Sequence, residues 1–218
     1  MTRNAEASKE RILEAAFAEF AAYGVAGARV DRVAETAGCN KNLIYIYFQD
    51  KESLFKTVLK RQLARIAADL PFTAEDLPGY AVRAFDYAME HPDLMRLMAW
   101  FSLEQGAQSG PERRASFDAK VAALVSAQGS GALGRAFPPR FLVTAVMALA
   151  TAWSAANPFG YVLDPDASRN RSALREAVSD AVRLITKAQT SGKRTDAGPR
   201  VSSRAGRKPR AHRPRTRS

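Results

Sequence analysis

Between Gly38 and Lys51 the sequence reads G-C-N-K-N-L-I-Y-I-Y-F-Q-D-K, and its polar side chains are those that recognise base edges and phosphates. An asparagine amide bridges adenine N6 and N7, and a lysine ammonium reaches guanine O6/N7 or a phosphate. A tyrosine offers an apolar ring with a hydroxyl at its tip. Asn40, Lys41, Asn42 and Tyr45 fall at the start of a short apolar stretch, and Tyr47 and Lys51 fall at its far edge. Ile44 and Phe48, four residues apart, can hold such a stretch down as one helical turn while the polar set stays outward. Asn40 can cap this helix and Asp50 the next, whose N-terminal amides together with Lys51 suit an anion such as a phosphate.

The elements that must position this set are helical. Upstream, a helix is expected from Ser8, taken as its N-cap, to Tyr23, with Leu13, Ala16, Phe17 and Phe20 on one face and Gly24 closing it. Val30, Val33, Ala34 and Ala37 recur at i, i+3, i+4 and i+7, predicting a short helix that ends in Gly38. A turn there and a second short helix over 41–47 make a helix-turn-helix at about 30–48. A fourth helix from Asp50 carries Leu54, Phe55, Val58, Leu59, Leu63 and Ile66 until Pro71 prevents continuation. Longer helices follow near 75–90, 93–105, 112–128, 138–156 and 168–188. The interruption "NPFGYVLDPDA" between the last two is rich in turn formers. The expectation is an all-α chain of about nine helices without β-type alternation.

Composition bounds the rest. The 218 residues are 46% hydrophobic and 25% charged, as in an ordinary globular protein. One cysteine excludes an intramolecular disulfide framework and fits a reducing compartment, so a cytoplasmic location is expected. Cys39, the lone thiol, fits a small buried hydrophobe better than a redox switch. No apolar signal segment follows "MTRNAEASKER", and the run "FLVTAVMALATAW" is too short to span a bilayer. The net charge of +11 is concentrated at the end: residues 190–218 hold ten Lys/Arg against Asp196, leaving +2 for residues 1–189. That Pro/Gly/Ser/Arg segment has no apolar periodicity and reads as a disordered basic tail, suited either to salt-sensitive, sequence-independent contact with DNA or simply to keeping the protein soluble.

Residues 8–68 resemble the TetR family of transcriptional regulators. Val33, Ala34, Ala37, Gly38, Tyr45, Phe48, Lys51 and Leu54 occupy positions of its I-A-x-x-A-G-V-S-x-G-x-x-Y-x-x-F-x-x-K-x-x-L pattern. Three positions depart from it. Asn40 stands for the usual Ser, Asn42 for a frequent Gly, and Arg29 for the Thr or Ser that often opens the second helix; Arg29 can bind a phosphate instead. The resemblance implies a three-helix DNA-binding unit over 8–68, preceded by a flexible 1–7, and joined through its fourth helix to a larger helical ligand-binding and dimerisation domain over 69–189. It also implies a palindromic duplex operator, a homodimer formed through the helices at 138–156 and 168–188, and an unknown small-molecule effector. Asn40, Lys41, Asn42 and Tyr45 would read bases, with Arg29, Tyr47 and Lys51 on phosphates.

Met95, Met98, Trp100, Phe101, Phe117, Met147 and Trp153 are candidates to line an adaptable, largely apolar ligand pocket, although each is also an ordinary core residue type. No cofactor and no metal site is expected: His91 precedes a proline and His212 lies in the tail. A Gly-rich phosphate loop after a strand, an H-E-x-x-H pair and a nucleophile with a placed histidine are missing, so an enzyme is not expected. The competing function is an architectural DNA-binding protein that works through the basic tail without effector control.

Overall fold

The computed structural model describes residues 2–104, 111–167 and 169–189. The basic tail at 190–218, with His212, therefore lies outside the described residues, as does the expected "GAQSG" connection. Ten helices occur among the described residues: α1 (Thr2–Gly27), α2 (Val30–Ala37), α3 (Lys41–Phe48), α4 (Lys51–Asp69), α5 (Leu77–Glu90), α6 (Pro92–Glu104), α7 (Pro111–Gly129), α8 (Pro139–Ala150), α9 (Gly160–Leu163) and α10 (Arg171–Lys187). The all-α expectation holds, with one helix more than the nine anticipated. The addition is α9, a single turn inside the stretch read as a turn-rich loop.

Two boundaries differ from the sequence reading for identifiable reasons. Ser8 is not an N-cap: α1 begins six residues earlier, and the Ser8 hydroxyl donates to the Asn4 carbonyl one turn back, 2.9 Å away. The helix around 138–156 stops at Ala150, after which Thr151–Asn157 turn through backbone bonds such as Ser154 N–H to Thr151 O. Gly24 does interrupt the first helix, at φ 68 and ψ −179, and one more helical turn follows it.

Apolar residues collect into two main cores. The first is built by α1–α4 together with Leu97 and Phe101 of α6, around Phe20, Phe55, Ile12, Ile44 and Leu54. Phe20 meets Phe55 edge-on at 5.2 Å between ring centres, and Phe55 lies 6.4 Å from Phe101. The second joins α5, α7, α8 and α10 through Phe85, Leu124, Leu142, Val146, Val178 and Val182. A smaller cluster of Ala88, Leu94 and Met95, with Phe17 and Ile66 packed on it, lies between them. Arg171 at the start of α10 fastens α5 by donating to the Asp86 carboxylate at 3.2 Å and Glu90 at 2.7 Å.

Candidate nucleic-acid interface

The short helix α3 is held from below and open above. Ile44 and Phe48 are buried in the first core, and Tyr47 and Leu43 pack half-buried against it. Its start is fixed by Asn40, whose side-chain oxygen accepts from the Asn42 N–H at 2.8 Å. The turn before it needs a left-handed residue, and Gly38 supplies one at φ 63 with its N–H bonded to Glu35 O. Asp50 caps α4 in the same way, accepting from Ser53 N–H at 2.7 Å; this bonding holds its carboxyl below the usual carboxylate range.

Four aligned positions then face outward on α3 and its end: Asn42, Tyr45, Ile46 and Gln49 are all exposed. Ile46 is not among the expected contacts, and the residues expected to anchor this helix are Ile44 and Phe48 alone. Its 74% exposure, next to Tyr45 at 40%, places it on the outer face instead. The sequence signal was its register: Ile46 is two residues from both Ile44 and Phe48, on the opposite side of a helix that buries those two.

The seven expected DNA contacts fall into different surroundings. Asn42 and Tyr45 share the exposed face with Ile46. Asn40 is exposed but commits its oxygen to the cap. Lys41 pairs with Asp31 of α2 at 2.8 Å, a bond that raises the lysine and lowers the aspartate. Arg29 has an exposed side chain, while its backbone N–H donates to Glu19 at 2.8 Å. Tyr47 stands edge-on to Phe48 at 6.2 Å.

Lys51 is turned inward to the chain: its ammonium donates to the carbonyls of Ala28 at 3.1 Å and Ala26 at 3.3 Å. It thereby closes the last turn of α1, whose orphan carbonyls need such a donor. On the other side of that turn, the Glu104 carboxylate accepts from Val25 N–H at 2.9 Å. An open depression of about 470 Å³, lined by Val25, Ala26, Lys51, Glu52 and Glu104, lies at this junction. Beneath α2, Glu19 is 8% exposed and accepts from Arg32 Nε as well as from Arg29 N–H, both at 2.8 Å. Burial works to raise its carboxyl, but these bonds outweigh it and the net shift is downward. Arg32 also lies over the Tyr23 ring at 4.2 Å and donates to Gly27 O.

The expected pocket residues are not brought to one place. Met95 and Phe101 are buried where α6 meets the first half of the chain, with Met98 half-buried beside them. Trp100 lies against Gly24, where an added Cβ would meet its ring at 3.0 Å. Met147 and Trp153 belong to the second core; Trp153 meets Phe85 edge-on at 6.1 Å. Phe117 is 37% exposed on α7. Cys39 is half-buried against the first core. Among the described residues no group of three or more His, Cys, Asp or Glu is arranged to hold a metal, and no helix is long and apolar enough to cross a membrane.

Two family models match. One, described as bacterial regulatory proteins of the tetR family, covers residues 12–58; the other, a tetracyclin repressor-like C-terminal domain, covers residues 76–184. The chain is also 37% identical over 187 residues to the HTH-type transcriptional repressor SCO4008 of Streptomyces coelicolor, covering 84% of this chain and 97% of that one. The chain belongs to the TetR family. SCO4942 of Streptomyces coelicolor, a solved structure, superposes on this TetR-family chain with a TM-score of 0.74 and 33% identity, over 82% of it and 98% of SCO4942. The HTH-type transcriptional repressor NicS of Pseudomonas putida is 30% identical over 111 residues, 48% of this chain and 52% of that protein. This TetR-family chain is thus a DNA-binding transcriptional regulator and not an enzyme, and the face carrying Asn42, Tyr45 and Ile46 is on α3, the second helix of its helix-turn-helix.

Proposed function

We propose that this regulator is a cytoplasmic, dimeric repressor that binds a palindromic operator and leaves it when a small ligand occupies the helical body. In this reading residues 8–68 bind DNA, residues 69–189 dimerise and take the ligand, and the tail at 190–218 adds sequence-independent affinity. The observation that carries it is the α3 face: three adjacent exposed side chains, one amide, one phenol and one alkyl, on a helix whose other side is locked in the core. Asn42 and Tyr45 read base edges, and Arg29 and Lys41 hold phosphates. Lys51 contributes by fastening the α1 turn to α4 rather than by gripping the backbone itself.

Dimerisation is supported by α8 and α10, which pack on each other and leave Phe141, Thr144 and Ala148 exposed on one helix and Ala173, Ala177, Asp180 and Leu184 on the other. Phe141 at 49% and Leu184 at 75% exposure are the anchors of such a face. Two recognition helices about one helical turn apart require this arrangement.

Selection from random duplex DNA with the purified full chain tests the proposal. A palindrome with half-sites about 10 base pairs apart is the expected result, and recovery of no shared sequence would overturn it. Sedimentation of Leu184→Glu, expected to run as a monomer while the parent runs as a dimer, tests the interface separately.

A further inference from the structure

Five half-buried cations in this molecule face oxygen: Arg32 meets Glu19, Lys41 Asp31, Lys51 two carbonyls, Arg61 Glu10 and Glu14, and Arg171 Asp86 and Glu90. Among the described residues, Arg113 and Lys120 on α7 meet none. Both are half-buried and lie over aromatic rings. The Arg113 guanidinium lies 5.0 Å from the Phe101 ring of α6 and 5.7 Å from the Phe117 ring, and the Lys120 ammonium lies 5.2 Å from that same Phe117 ring. The described carboxylate on this stretch of α7, Asp118, bonds Arg140 at 3.2 Å. Glu104, at the end of α6, is occupied with Val25 and Ala26. Two like charges thus converge on one ring with no acidic partner among the described residues.

Partial burial of an unpaired cation is costly, and a second like charge beside it adds to the cost. Burial pushes both groups down from their ordinary values, and the Arg113 charge pushes Lys120 down further. An anion between them would remove that cost. The rings of Phe101 and Phe117 meanwhile offer an apolar wall to whatever carries the charge, and a planar carboxylate matches the guanidinium fork.

We propose that Arg113 and Lys120, with Phe101 and Phe117, form the binding site for a small organic anion: a carboxylate on an apolar body, seated where α6 meets α7. This rests on the ligand-responsive reading above and gives the effector a charge that the largely apolar pocket expected from sequence lacked. It also brings two of the seven expected pocket residues, Phe101 and Phe117, into one site.

The test is calorimetric titration of the full chain with sodium 1-naphthoate, sodium decanoate and the neutral 1-naphthamide. At least one carboxylate should bind ten times more tightly than the amide. Naphthoate alone would mark an aromatic body, and decanoate alone an alkyl one. Arg113→Met and Lys120→Met should each weaken the carboxylate at least fivefold, leave the amide unchanged, and melt no lower than the parent. In the unaltered chain, acetylation of Lys120 followed by mass spectrometry should be slowed by the bound carboxylate. Absence of carboxylate binding, equal binding of acid and amide, or undiminished binding by both variants would overturn the site. A palindrome recovered from random DNA beside such a failure would leave the regulator standing; carboxylate binding without sequence-specific DNA binding would do the reverse.

Discussion

The two halves of this chain finish their helices differently. In the first, α3 and α4 start on side-chain caps from Asn40 and Asp50, α2 ends on Gly38, and the turn after Gly24 is held on one side by Glu104 and on the other by Lys51. In the second, Asp76 caps α5, but α8 starts behind Pro138 and α10 behind Asn170 with no side-chain cap, as α2 does behind Arg29, and large apolar groups stand in the open at Val125, Phe141 and Leu184. The first half is closed with the help of Leu97, Phe101 and Glu104 of α6, and its α3 exposes one small face. The second leaves apolar groups open on α7, α8 and α10 and, among the described residues, two half-buried cations without an acidic partner, which is where the proposed second copy and ligand would act. The difference teaches where to look for function: in the first half at what protrudes, in the second at what is unsatisfied.

The strongest way to break the first core is at its centre. Phe55 is 1% exposed and touches both Phe20 and Phe101. Phe55→Ala should cost about 4 kcal/mol, read as a lower urea midpoint by circular dichroism. Because Phe101 belongs to α6, helices on both sides should unfold together. Separate transitions would show that the two halves are independent, and the contrast would become one between domains.

Gly24 comes next. At φ 68 with extended ψ it occupies a region that glycine alone visits comfortably, and a Cβ there would meet the Glu104 carboxylate at 2.4 Å. Gly24→Ala should cost about 2–3 kcal/mol. Combining it with Glu104→Ala should cost less than the sum of the two, since the clash partner is then missing. Strict additivity would mean that Glu104 does not hold this turn.

Glu19 gives the pH-dependent prediction. Its folded carboxyl lies below the unfolded value of 4.5, so its contribution is fully present above about pH 4.5 and is lost as pH falls through the lowered value. Glu19→Gln should lower stability by about 2 kcal/mol at pH 7. The gap to the parent should close in acid. A gap constant from pH 7 to pH 3 would show that the loss is one of shape rather than charge.

How much of this was legible in the sequence follows the same division. The helix-turn-helix was readable because its signals are local: the apolar spacing of Val30 to Ala37, the left-handed glycine and the two caps all act within a few residues. Ser8 misled because a good capping residue is also tolerated inside a helix, where its hydroxyl bonds back to Asn4. The contacts of Lys51 were not legible because its partners, Ala26 and Ala28, are more than twenty residues away in sequence. The scatter of the candidate pocket residues has the same origin. Spacing marks Met95, Phe101, Met147 and Trp153 as inward-facing, but which core each enters depends on α6 leaving its sequence neighbours to pack against α1. Arg113 and Lys120 were not legible at all, since a desolvated cation and a solvated one look alike in a string of letters.

The smallest effect on stability tests the most specific statement about the first half. Ile46 is 74% exposed, so Ile46→Ala should change the unfolding free energy from urea titration by less than about 0.5 kcal/mol. Its consequence is expected in DNA binding. An exposed alkyl group beside Tyr45 on the recognition helix suits the thymine C5-methyl, the apolar feature of the major groove. Replacing single thymines of the selected operator by deoxyuridine removes that methyl and leaves every hydrogen bond in place. At one position per half-site this should weaken the parent about fivefold, corresponding to about 1 kcal/mol per contact. Ile46→Ala should be weaker on the thymine operator and indifferent to the same replacement. Unequal losses of this kind tie one side chain to one methyl. If instead the variant and the parent respond alike at every thymine, the protruding isoleucine reads no methyl, and the functional face of the first half narrows to Asn42 and Tyr45.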